Sequence, residues 1–116
     1  MGLEKPVLSG GGVSYDTCTI TMASNINSAK FPAIAGKKNF LIYCEDNFQH
    51  TGTSVYYIDS ISRIGGEVSV NTAFNGWTMR QISPSTAFSI DDEGTITFEL
   101  ADIKFLSGKK YHAIGW

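Results

Sequence analysis

The chain has 116 residues, of which 42% are hydrophobic and only 17% charged, with a formal net charge of −2. That length sets one domain with a single modest core, and the charge excludes the basic face that nucleic acid requires and any electrostatic pull toward an anionic membrane. No apolar run approaches the ~18 residues of a membrane span, and Ser, Thr and Asn stand where Glu and Lys are usual, which favours strands over solvated helices.

Residues 1–12 hold Pro6 and Gly10-Gly11-Gly12 and read as a flexible lead-in, with the domain proper at 13–116. The start lacks the basic and apolar regions of a signal peptide, and Pro6 spoils a myristoylation pattern. Val13 to Met22 alternates with period two, Cys18, Ile20 and Met22 against Thr17, Thr19 and Thr21, as in a half-buried strand. ASNINSAK reads as a connector, and KFPAI as a short edge piece limited by Pro32. Asn39 to Cys44 sets Phe40, Ile42 and Cys44 against Leu41 and Tyr43, with both faces expected to be covered. After the EDNFQHTGT loop, SVYYIDSI sets Val55, Tyr57 and Ile61 against Tyr56 and Ile58. Gly65-Gly66 predicts a hairpin into EVSVNTAF, with Val68, Val70 and Phe74 on one face. Asn75-Gly76 predicts a turn into WTMRQI. SPSTAFSI and TITFEL form a hairpin around Asp91-Asp92-Glu93-Gly94, and Tyr111 to Trp116 is a terminal strand. These segments predict an all-β fold, an antiparallel β-sandwich or flattened barrel of about eight short strands.

The search for chemistry returns no catalytic residue, no metal site and no cofactor. Asp91, Asp92 and Glu93 lack the spacing of a calcium loop and read as a solvated turn. His50 and His112 have no companion at ligand spacing, and no G-x-S-x-G elbow is present. His112 is expected to pack on or cap the sheet. Cys18 and Cys44 read as buried, reduced thiols, with a cross-strand disulfide as the alternative outside a cell.

Two further patterns carry a functional and a structural reading. Tyr56, Tyr57, Trp77 and Trp116 fill a core or interface, or else form an aromatic sugar platform. IAGKKNFLIY (34–43) is echoed by LSGKKYHAIG (106–115). The lysine pairs form an anion site if the two copies meet; otherwise each Gly turns a corner and the lysines solvate it.

The segments FPAIAGKKNFLIY, SIDDEGTITF and YHAIGW, with the Gly-rich lead-in, resemble the small β-rich structural proteins of phage and prophage virion modules: tail, baseplate and fibre. The resemblance implies a non-enzymatic protein made in the bacterial cytoplasm and then virion-associated. Its partners would be copies of itself, other virion proteins and, in the alternative reading, a host-surface glycan bound through the exposed aromatics.

Overall fold

The computed structural model describes residues 14–45, 55–74, 78–82, 88–99 and 102–116, with the backbone alone at 73–74 and 78–82. The lead-in, His50, the Asn75-Gly76 turn and Trp77 lie outside the described residues. The strands are β1 (Asp16–Thr21), β2 (Ser28–Lys30), β3 (Phe40–Cys44), β4 (Tyr56–Ile64), β5 (Glu67–Phe74), β6 (Thr78–Ile82), β7 (Phe88–Ile90), β8 (Thr95–Phe98), β9 (Ile103–Lys104) and β10 (Lys110–Gly115). They form two sheets: a large one in the order β1-β10-β3-β4-β5-β6, with β9 added in parallel to β4, and a small one in the order β2-β8-β7. The fold is all-β and sandwich-like, and every pairing except β4–β9 is antiparallel.

One face of the large sheet makes most of the core. Ile20, Cys18, Tyr111, Ala113, Ile42, Phe40, Ile61 and Val70 line it, their order across the strands fixed by the rows Cys18↔Ala113, Ala113↔Ile42, Ile42↔Ile61 and Ile61↔Val70. The small sheet contributes Ile96 and Phe98 from the other side. An aromatic cluster joins the layers, T-shaped where Phe105 meets Phe98 and Tyr111 and tilted where it meets Phe31. Phe105 lies 5.2 Å from Tyr111, 5.5 Å from Phe98 and 5.6 Å from Phe31, centroid to centroid.

Three departures from the sequence reading have local causes. KFPAI is not an edge strand: Pro32–Ile34 is a 3₁₀ turn with Pro at its first position, where the missing N–H costs nothing. Ala33 and Ile34 are buried from it into the core. The short strand lies just before, at Ser28–Lys30, inside what read as a connector. Strict alternation also fails in β4, where the register shifts between Ile58 and Ser60. That bulge puts Ile58 and Ile61 on the same core face, so Tyr57 does not share a face with Ile61.

The doubled GKK segment resolves into two corners of the same kind. Lys37 N–H donates to Ile34 O at 3.1 Å and Lys109 N–H to Leu106 O at 3.3 Å. Gly36 and Gly108 hold φ of 69° and 78° at the third turn position, and Ala35 at φ −61°, ψ 122° completes a type II turn in the first copy. The strands they feed, β3 and β10, are antiparallel neighbours in the interior of the large sheet, with Gly115 opposite Phe40 and Tyr111 opposite Cys44.

Candidate functional site: the open face of the large sheet

The small sheet covers one face of the large sheet. The other face carries the alternate residues of each strand: Thr17, Thr19 and Thr21 from β1, His112 and Ile114 from β10, Leu41 and Tyr43 from β3, Ser60 and Ser62 from β4, and Ser69 and Asn71 from β5. Three large apolar side chains beside or within this set are exposed: Tyr15 at 42%, Tyr43 at 44% and Ile64 at 51%. Leu41, Ile114 and Trp116 are half-buried. The expectation that both faces of β3 are covered is therefore corrected: Phe40 and Ile42 are fully buried while Tyr43 stands open.

At the β1 end of this face, neighbouring strands bring four polar or aromatic groups together. Thr19 lies opposite His112 and His112 opposite Tyr43. The His112 ring is held from both nitrogens, with Nδ1 2.8 Å from Thr19 Oγ1 and Nε2 2.5 Å from Glu45 Oε1. In the neutral ring this fixes one tautomer, in which Nε2–H donates to the carboxylate and Nδ1 accepts from the threonine hydroxyl. The Tyr43 ring lies beside the imidazole, 5.2 Å between centroids and tilted by 37°. The connectivity is that of a hydroxyl–imidazole–carboxylate relay. The cluster sits at the β1 end of the open face, and none of its four residues lines the cleft of Ile34, Lys37, Arg63 and Asp91 or that of Ser62, Ile64 and Glu67. What it does chemically is orient a polar, ring-bearing platform.

The aromatic residues singled out in the sequence are distributed differently. Tyr57 is 2% exposed, so its ring offers no platform to a ligand. Tyr56 is half-buried and packs against the core. Trp116 is half-buried at the end of β10, its backbone paired with Asn39 by bonds of 2.9 and 3.0 Å. Trp77 lies outside the described residues. Sequence reasoning missed Tyr15 and Tyr43. The signal for Tyr43 was its parity opposite Phe40 and Ile42, which identifies an outer-face residue once that face is known to be open at β3; Tyr57, on the same face farther along β4, is buried.

The lysine pairs do not form a shared anion site, because antiparallel β3 and β10 place their starting corners at opposite ends of the sheet. Nor does Lys37 stay fully hydrated. It bonds Asp16 at 3.0 Å with its side chain only 21% exposed, while Arg63 donates to Lys37 O at 2.7 Å and to Lys38 O at 3.0 Å and rests over the Phe40 ring. The acidic turn is internally bonded. Asp91 Oδ1 accepts from the N–H groups of Glu93 and Thr95, both at 2.9 Å, and the backbone bond from Thr95 chiefly holds its carboxyl below the usual range. Among the described residues, no group of three His, Cys, Asp or Glu side chains is arranged to hold a metal.

Cys18 and Cys44 are half-buried, not buried as expected, and neither is in a disulfide. They flank β10 on either side and pair with different residues, Ala113 and Tyr111. Two strand spacings, about 10 Å, exceed the reach of a disulfide, so the cross-strand bridge is ruled out within one chain. No described helix is long and apolar enough to cross a membrane. No family model, curated protein or solved structure matches this chain.

Proposed function

We propose that this chain is a non-enzymatic interaction domain that associates with copies of itself and takes part in a larger assembly, of the kind built by phage and prophage tail and virion proteins. The observation that carries the reading is the open face of the large sheet. A sheet this wide usually has both faces buried or one face evenly polar; here Tyr15, Tyr43 and Ile64 stand exposed among threonines and serines. Exposed apolar groups of this size on an open sheet face suit a protein contact. The phage-type assignment rests on the sequence resemblance. Sedimentation or light scattering from micromolar to millimolar concentration tests the association: a defined oligomer is expected, and a monomer throughout that range would sink the reading.

A second reading is favoured by one specific arrangement. Tyr43, beside the bonded Thr19–His112–Glu45 row, offers an aromatic ring next to hydroxyl, imidazole and carboxylate groups, the combination that sugars use for stacking and hydrogen bonding. On a glycan array or against host cell-wall fractions, binding that is lost in Tyr43→Ala with the fold retained supports it. Tyrosine and tryptophan fluorescence unmoved by every fraction would count against it.

A further inference from the structure

Strand β1 forms one side of the large sheet, and among the described residues no strand lies beyond it. The ladder fixes which of its backbone groups are used. Met22 N–H donates to Lys109 O and Met22 O accepts from Gly108 N–H, so both of its groups point toward the β10 side. Trp116 exchanges bonds with Asn39 on the opposite side of β10. Alternation along antiparallel strands then aims Asp16, Cys18 and Ile20 at β10, and aims the N–H and C=O of Thr17, Thr19 and Thr21 away from the sheet. All three threonines are exposed.

This edge lacks the usual protections. Natural sheets block their edges with lysine, proline, a bulge or very short strands. The small sheet uses the last of these: β2 and β7, its outer strands, have three residues each. β1 has six residues, DTCTIT, and a continuous register with β10 without a bulge. Its single charge, Asp16, is taken up by Lys37 at 3.0 Å.

We propose that β1 is a self-association edge: it pairs antiparallel with β1 of a second copy of this chain about a twofold axis at Thr19, continuing the large sheet across the dimer. The proposal rests on the self-association reading above and adds the sheet edge beside the open face as a contact between copies. The segment is self-complementary in this register. Thr19 meets Thr19 of the second copy, and Thr17 meets Thr21, so every outward N–H finds an outward carbonyl; other twofold registers leave some unpaired. On the outer face, threonine faces threonine, a favourable cross-strand pair. On the core side Cys18 meets Ile20, apolar against apolar. The lone carboxylate of each strand lies at its far end, so no like charges meet.

The register can be read by crosslinking. In a Cys18→Ser/Cys44→Ser background, Thr19→Cys places the two introduced thiols on directly opposed residues, with Cα atoms about 5.5 Å apart, inside disulfide range. Thr17→Cys places them about 13 Å apart along the strands. Rapid dimer formation under mild oxidant by Thr19→Cys but not Thr17→Cys is the expected result. Thr17→Pro removes an edge N–H that β10 does not use, which the fold tolerates at an edge, and is expected to weaken the dimer about tenfold or more with an unchanged far-ultraviolet circular dichroism spectrum. If wild type is oligomeric but Thr17→Pro associates equally well and Thr19→Cys crosslinks no faster than Thr17→Cys, the β1 edge is overturned while self-association stands. If wild type is monomeric up to millimolar concentration, both fall.

Discussion

Tyr111 carries a hydroxyl into the middle of an otherwise apolar interior. It is fully buried, donates to Ile58 O at 2.9 Å and accepts from Leu106 N–H at 3.1 Å. It thereby ties β10 both to β4 and to the corner that precedes it. Burial pushes its phenol well above the ordinary range. A phenol ionises near ~10 in an unfolded chain, so above that pH the unfolded state releases a proton that the folded state keeps, and stability falls as pH rises. Tyr111→Phe should cost about 1–3 kcal/mol at neutral pH by removing both bonds. It should also flatten the loss of stability between pH 9 and pH 11, by up to about 1.4 kcal/mol per pH unit above ~10. Urea denaturation of both proteins at the two pH values checks this, and parallel losses would show that Tyr111 does not govern the alkaline limb.

Two glycines separate conformational from steric need at the same scale. Gly94 has φ 87°, and a Cβ there would lie 2.4 Å from Phe31 O; Gly36 has φ 69° with nothing within 4 Å. Gly36→Ala should therefore cost only the left-handed penalty, about 1–2 kcal/mol. Gly94→Ala adds a backbone clash where Phe31 N–H bonds Gly94 O, and should lower the melting temperature clearly more. Equal shifts in the two variants would contradict the close approach.

At the scale of the element, period-two sterics decide which residues of a strand are structural. β3 gives the sharpest contrast, since Ile42 is fully buried and its neighbour Tyr43 is 44% exposed. Ile42→Ala should cost about 2–5 kcal/mol and Tyr43→Ala within about 1 kcal/mol, measured by urea denaturation. A large cost for Tyr43 would mean that its ring holds the sheet together and not an outside partner. The same alternation made the faces of β1, β3 and β8 legible in the sequence, because a side chain's face depends only on its own backbone. β2 and β9 were not legible: SAK and IK are too short to show a period. Nor was the β4 bulge, because nothing in YYIDSI marks the residue that slips. Its consequence reached the candidate site, since which tyrosines face solvent depends on that slip and on what lies above each face.

At the scale of the molecule, Phe105 is the joint between the layers. It sits beside Ile103 of β9, touches Phe31, Phe98 and Tyr111, and its N–H donates to Ile26 O at 2.7 Å. Phe105→Ala should cost about 3–5 kcal/mol and broaden the thermal transition, because both sheets lose their common contact. A calorimetric scan checks this, and a sharp transition at nearly the wild-type temperature would show that the sheets are joined chiefly elsewhere.

By itself the sequence determined that the protein is all-β, which faces of its regular strands are apolar, and that Gly36, Gly65, Gly66, Gly94 and Gly108 turn the chain. Each of these is set by local sterics, and all five glycines do take positive φ. Only the tertiary structure decided that β10 inserts between β1 and β3, that β9 joins β4 in parallel, that the two GKK corners lie at opposite ends, and that Tyr43 rather than Tyr57 meets solvent. Those outcomes depend on contacts between residues far apart in the chain, chosen by how much apolar surface the whole arrangement buries, and no local pattern encodes them.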